Sequence, residues 1–349
     1  MRIMLIGYGN VGKCFHGLLD ERREFLTRRY GITPKVVSIV DRGGAVIDPK
    51  GIRCDEALEA KRKFGTVAGL DRGRRGMSAI EAIGEVDCEV VTELTPSNLA
   101  DGEPGMSHIV EAMRVGRHVI TANKGPLALA LPALLELASH NDVKLLFSGT
   151  VGGGTPFLNF IRKCLKGNEI LSLRGVLNGT TNFVLSTMER KGRTMEEALL
   201  EAKDLGYAEA DPSLDVNGLD AAAKLAILTN VALGRRVTIS DVEVEGIAKV
   251  SRRDVSRALD SGMTIRLIAE ASHEFARVQP REIGREDPLC VYGPLNALSL
   301  VMEGEWQVTL VGKGAGGFET AQALVRDLVE LKESLTSTYS TLKIEAYER

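Results

Sequence analysis

"RIMLIGYGNVG", Arg2 to Gly12, decides the fold. Its first half is a short apolar run without alternation, the pattern of a parallel strand buried on both faces. Its second half places Gly7, Gly9 and Gly12 in the G-x-G-x-x-G spacing. In that pattern the first glycine permits a tight turn and the second lets a pyrophosphate approach the backbone. The third lets the following helix pack on the strand. "KCFHGLLDERREFLTRRY" continues as a helix, so Asn10 and Val11 sit where free N–H groups and a positive dipole end meet a phosphate. A strand directly before the glycines and a helix directly after them give the motif its weight.

Working outward, "KVVSIV", "CEVVTEL", "RHVITAN" and "VKLLFSG" read as strands. "PGMSHIVEAMRVG" and "PLALALPALLELASHN" read as the helices between them. This alternation predicts an α/β domain over residues 1–150, a Rossmann-type doubly wound parallel sheet with right-handed crossovers. After "GTVGGGTP" the rhythm changes. "MEEALLEAKDLG" is a helix stopped by Gly206, and "LDAAAKLAILTNVAL" a small-residue helix stopped by Gly234. "LRGVLN" and "PLCVYGP" read as strands. The expectation is a second, α+β substrate and dimerisation domain over 151–305. A C-terminal helical segment, 306–349, is expected to pack back on the first domain, with no appended regulatory domain.

The 349 residues allow two domains. A net charge of −3 offers no electrostatic case for nucleic acid or an anionic membrane. Aromatics at 5% argue against base-stacking platforms. Five scattered cysteines, none in a CxxC pair, read as reduced thiols. The histidines form no zinc-like cluster. A signal peptide and an 18-residue apolar run are both lacking, so the expected location is the cytoplasm.

In this fold ligands bind beyond the carboxyl ends of the strands. Asp41 ends the second strand, where an acid binds the ribose hydroxyls of NAD. Arg42 follows it, and "EAKRKFG" adds Lys61, Arg62 and Lys63. Asp41 also lies 29 residues past Gly12, beyond the usual spacing of about 20. The balance favours NADP over NAD. "ELTPSN" turns Thr95, Pro96 and Ser97 toward the cofactor, and "TANKGP" places Lys124 at the same edge. "SGTVGGGTP" exposes backbone near a ligand, or hinges the two domains. "VGKGAGGFETA" lacks the Walker lysine spacing, and its Gly316 and Gly317 are expected to close over the cofactor.

"GYAEADPSLDVNGLDAAAKL", Gly206 to Leu225, gathers four carboxylates and one lysine. Asp220 and Lys224 stand i, i+4 on a helix. Exposed, such a pair is worth about 0.3–0.5 kcal/mol. In a cleft it holds and tunes a lysine.

With "GYGNVG", "TANKGP", "GTVGGGTP", "LNGTTNFVL", "GYAEADPSLDVNGLDAAAKLAIL" and "GKGAGGFETA" in this order, the chain resembles homoserine dehydrogenase over nearly its whole length. The resemblance implies reversible NAD(P)-dependent hydride transfer between L-homoserine and L-aspartate 4-semialdehyde, in threonine and methionine biosynthesis. It implies Lys224 and Lys124 as the two lysines of the site, with Asp220 orienting Lys224. Glu209 is implied to bind the substrate amino group, and Asp215, Gly179, Thr180 and Tyr207 to line the substrate pocket. It further implies a monovalent cation (Na+) on the backbone carbonyls of Val151, Gly153 and Thr155. Many members carry a glutamate where this chain has Ser148, which counts against that cation. A homodimer through the second domain is implied as well. The rival readings are an aspartate dehydrogenase-like enzyme of the same architecture and a catalytically silent NAD(P)-sensing regulator. Aspartate-semialdehyde dehydrogenase needs a nucleophilic cysteine beside a histidine, which no loop here supplies.

Overall fold

Seven strands build the first sheet: β1 (Arg2–Ile6), β2 (Lys35–Asp41), β3 (Gly44–Ile47), β4 (Gly73–Arg75), β5 (Val90–Glu93), β6 (His118–Thr121) and β7 (Leu145–Leu146). The structure is a computed structural model, and the residues described are 1–336. The sheet order is β4-β3-β2-β1-β5-β6-β7. The five strands from β2 to β7 in this order run parallel. The β3–β4 pair adds an antiparallel edge beside β2. Strand order reverses between β1 and β5, which opens a crevice at their carboxyl ends. Ile3, Met4, Leu5 and Ile6 are at most 1% exposed, as a strand covered on both faces requires.

The second sheet comprises β8 (Ile170–Val176), β9 (Glu243–Val244), β10 (Met263–Ser272), β11 (Ala276–Gly284), β12 (Leu295–Met302) and β13 (Gln307–Lys313). Its order is β13-β12-β8-β10-β11-β9. All its pairs are antiparallel except β11–β9. Two sequence expectations change here. "PLCVYGP" is a loop, because Gly293 takes a positive φ of 65° and the loop folds Leu289 into a small apolar cluster against Ile268 and Ile283. And β13 pairs with β12 along its whole length, so the second sheet reaches Lys313, past the expected limit at 305.

The helix Leu219–Leu233 is apolar on nearly every side, and Ala221 through Thr229 are all buried. Its ends are set by Gly218 and Gly234, both in the left-handed region. It packs against β8, β10 and β11 and against the helix Lys124–His140 of the first half. The helix Gly317–Leu335 returns to the first sheet. Its Ala321, Leu324, Leu328 and Leu331 share one core cluster with Ile3, Leu5, Phe15 and Ile39. The rest of the expected terminal segment, 337–349, lies outside the described residues. Among the described residues no helix is long and apolar enough to cross a membrane.

One carboxylate pins this returning helix. Asp327 is fully buried and accepts the Ser148 N–H at 2.8 Å. Burial pushes its carboxyl up to about 7, against the pull of the Ser148 hydrogen bonds and the nearby Arg162 guanidinium. Between the ordinary value of 3.8 and about 7 the folded state binds the extra proton, so stability falls as pH rises through that window. Urea unfolding at about pH 5 and about pH 8 tests this. Relative to Asp327→Asn, the native chain is expected to lose about 2–4 kcal/mol between the two. Parallel pH dependence in both chains would show that Asp327 titrates normally.

Candidate active site

The glycine loop is built for close approach. A Cβ on Gly7, whose φ is +94°, would lie 2.6 Å from the Leu94 carbonyl carbon. One on Gly12 would lie 2.5 Å from the Gly7 oxygen, so Gly12 serves packing behind the loop. A Cβ on Gly9 would meet nothing within 4 Å, which leaves its outer face open. The helix Asn10–Glu21 starts there with no side-chain cap, so its first N–H groups are free for an anion.

Gly7, Gly9, Asn10, Val11, Asp41, Arg42, Thr95, Pro96, Ser97, Lys124 and Glu209 line one cavity of about 1250 Å³. Its size, its open glycine loop and the free helix start fit a dinucleotide. Gly316 and Gly317 are not in this wall. Gly317 instead backs the start of the Asn10–Glu21 helix, where a Cβ would sit 3.4 Å from Cys14 Sγ.

Asp41 is engaged from within. Its carboxylate accepts from Thr66 Oγ1 at 2.6 Å, Lys61 Nζ and Gly43 N–H at 2.9 Å, and Val67 N–H at 3.0 Å. Burial alone would raise its pKa, but these four donors together hold it below the ordinary value. A ribose hydroxyl would have to displace one of them. Arg42 and Lys61 both reach the same end of the cavity.

At the inner end three charges meet across the two halves of the chain. Asp220 Oδ2 lies 2.7 Å from Lys224 Nζ, and Asp220 Oδ1 lies 3.5 Å from Lys124 Nζ. Lys224 also donates to the Leu177 carbonyl at 2.8 Å, and its side chain is 8% exposed. Lys124 is on the cavity wall and 25% exposed. Asn178 ties the group together. Its Nδ2 donates to Asp220 at 2.9 Å and to Asp215 at 2.6 Å, while its Oδ1 caps the helix Gly179–Lys191 through Thr181 N–H. Burial of Asp220 works against its charge, yet Lys224, Lys124 and the hydrogen bonds hold its carboxyl well below the usual range. Asp215 is raised, first by burial and then by the neighbouring Asp220 charge.

Thr180 Oγ1 donates to the Tyr207 carbonyl at 2.8 Å, fixing the loop that carries Glu209. The Tyr207 ring rests on Phe183 at 4.9 Å between centroids. Gly179 begins its helix under Pro294, whose oxygen would be 2.8 Å from any Cβ there. Asp211 only accepts the Ser213 N–H of its own turn. In the glycine segment before the second domain, the Thr155 carbonyl already accepts Phe157 N–H at 2.9 Å. The carboxylate beside Ser148 is that of Asp327, across the fold from the loop's own sequence. Among the described residues no group of three or more His, Cys, Asp or Glu side chains could hold a metal ion.

Sequence reasoning did not single out Glu93, His108 or the bridging role of Asn178. Glu93 carried a signal: a carboxylate inside a strand that should be apolar on both faces.

A dinucleotide-sized cleft whose wall carries a lysine paired with a half-buried carboxylate fits a nicotinamide-dependent dehydrogenase. The comparisons with known proteins narrow this. The family described as homoserine dehydrogenase matches residues 156–329. A homoserine dehydrogenase of Methanocaldococcus jannaschii is 42% identical over 334 residues, covering 96% of this chain and 99% of that protein. An NAD(+)-dependent homoserine dehydrogenase of Pseudomonas canavaninivorans is 35% identical, covering 96% and 97%. A solved hyperthermophilic archaeal homoserine dehydrogenase in complex with NADPH superposes with a TM-score of 0.82 at 30% identity, covering 95% and 98%. The chain belongs to the homoserine dehydrogenase family.

The shared carboxylate predicts unequal costs. Asp220→Asn leaves Lys224 buried with only a carbonyl and an amide, and is expected to cost about 3–5 kcal/mol in urea unfolding. Lys224→Met leaves Asp220 with Lys124 and Asn178, and is expected to cost less. Equal losses would mean that Lys124 does not stabilise Asp220.

Proposed function

We propose that this chain catalyses the reversible oxidation of L-homoserine to L-aspartate 4-semialdehyde, with NADP as its preferred cofactor. The observation that carries the reading is the Lys124–Asp220–Lys224 group at the inner end of a cavity that also presents Glu209. When bound, the nicotinamide supplies the hydride acceptor or donor. The chain's own task is the proton on the substrate oxygen. In the reductive direction a lysine ammonium gives that proton to the carbonyl oxygen, and in the oxidative direction the lysine takes it from the hydroxyl. Such help is worth on the order of 10²–10⁴-fold. Asp220 keeps both lysines aimed at one point. Glu209, exposed at the rim, complements the substrate ammonium, while Asp215 holds Asn178 and the Gly179–Thr180 turn holds the loop that carries Glu209.

The NADP preference is supported by Asp41, which is occupied by four internal donors, while Arg42 lines the same end of the cavity and Lys61, paired with Asp41, stands beside it as a second cation for a 2′-phosphate. A monovalent cation would rest on the carbonyls of Val151 and Gly153, with that of Thr155 shared with Phe157. A homodimer through the second sheet is supported by its β13 edge, where Val311 is 49% exposed beside unpaired backbone groups. The five free cysteines suit a reducing, cytoplasmic setting, and the proposed reaction itself would serve threonine and methionine biosynthesis.

The test follows NADPH oxidation with aspartate semialdehyde and NADP+ reduction with homoserine. Lys224→Ala and Lys124→Met are each expected to lower kcat at least ~100-fold, with the double variant little worse, because the pair acts as a unit. Near-native turnover in either single variant would remove that lysine from the chemistry. Separately, Arg42→Ala and Lys61→Met are expected to weaken NADP binding about 10-fold each and leave NAD nearly unchanged, read by thermal shift or titration. Equal losses for both cofactors would remove the 2′-phosphate role.

A further inference from the structure

Glu93 closes β5 at the reversal point of the sheet and is fully buried. A carboxylate there is costly unless donors surround it. Thr95 donates to it twice, through its N–H at 3.1 Å and through its hydroxyl. Thr121 Oγ1 donates to the Glu93 carbonyl at 2.9 Å and lies 3.4 Å from its carboxylate, and His108 Nδ1 stands 3.5 Å from Oε1. Thr95 in turn accepts from Asn123 Nδ2 at 3.3 Å. The N–H of Asn123 donates to Thr121 Oγ1 at 2.9 Å. Asn123 caps the helix that Lys124 begins, and the Lys124 N–H donates to Ser97 Oγ at 3.0 Å. The Thr95–Ser97 loop and the backbone of Lys124 are thus tied to one carboxylate.

The helix that carries His108 presses on the same point. A Cβ on its first residue, Gly105, would lie 2.4 Å from Asn123 Nδ2 and 3.2 Å from Glu93 Oε2. His108 and Thr95 both face the cavity.

We propose that Glu93, backed by His108, is a positioning residue for the reaction: through Thr95 and Asn123 it sets the distance between the Thr95–Ser97 loop and the Lys124 amine. This rests on the reading of Lys124 as one of the two proton-handling lysines. Thr95 and Ser97 share the cavity wall with the glycine loop and Arg42, whereas Glu93 stands behind that wall, so a change at Glu93 reaches the cavity only through Thr95 and Asn123.

The test uses the full chain and steady-state kinetics in both directions, NADPH titration and thermal unfolding. Thr95→Val removes the hydroxyl at constant shape, Thr95→Ser restores it, and Glu93→Gln keeps an acceptor for the Thr95 N–H while losing the charge. Thr95→Val and Glu93→Gln are expected to lower kcat about 10–100-fold, and in Glu93→Gln, which leaves the cavity wall itself unchanged, NADPH affinity and homoserine KM are expected to stay within about 3-fold. Thr95→Ser is expected to recover most of the rate. Wild-type kcat in both Thr95→Val and Glu93→Gln, with Lys124→Met inactive, would overturn the positioning role alone. Wild-type kcat in Lys124→Met would overturn the reading of Lys124 beneath it. A loss of kcat that tracks the folded fraction, and that Thr95→Ser does not repair, would also overturn the proposal.

Discussion

Asp220 answers to two lysines that arrive from different halves of the chain. Lys224 sits on a helix that is buried nearly all round, where an unpaired charge costs several kcal/mol. The same carboxylate meets Lys124, which opens a helix of the dinucleotide-binding half. Asn178 then spans Asp220 and Asp215 while its other atom caps a third helix. The site therefore exists only where the two halves are docked. Two lysines thus converge on the single carboxylate of Asp220, which sets two proton donors side by side, an arrangement suited to an oxygen that gains electron density as a carbonyl is reduced.

The outer end of the cavity obeys a different constraint, that of space. Gly7 and Gly12 are small because backbone lies against them, whereas Gly9 faces open cavity. Asp41 belongs to neither group. It ends a strand where an acid commonly reads a ribose, but here it serves as the hub of a turn, holding Lys61, Thr66 and Val67 in place.

How legible this was in the sequence follows from contact range. The glycine loop was readable because strand, glycines and helix are contiguous. The Asp220–Lys224 pair was readable because one helical turn joins them. The β3–β4 edge was not, since two strands of four and three residues carry no periodicity. "PLCVYGP" looked like a strand because its apolar residues are contiguous, but only Leu289 is buried, and it is buried from a loop. The Lys124–Asp220 contact and the Glu93 network join residues that only the tertiary fold brings together. Family resemblance placed Lys124 in one site with Lys224 and Asp220, but neither it nor residue spacing pointed to these contacts.

The returning helix Gly317–Leu335 has a consequence for synthesis. Leu324 and Leu328 complete a core begun by Ile3 and Leu5, with the whole second sheet made in between. On the ribosome the first sheet waits for its last covering helix for on the order of 10–30 s. During that wait an apolar face of β1 and β2 stands open, so the nascent chain is at its most vulnerable when it already holds a nearly finished nucleotide fold. The second domain, folding in the gap, is in effect an insertion that must bring its own two ends together before the first can close.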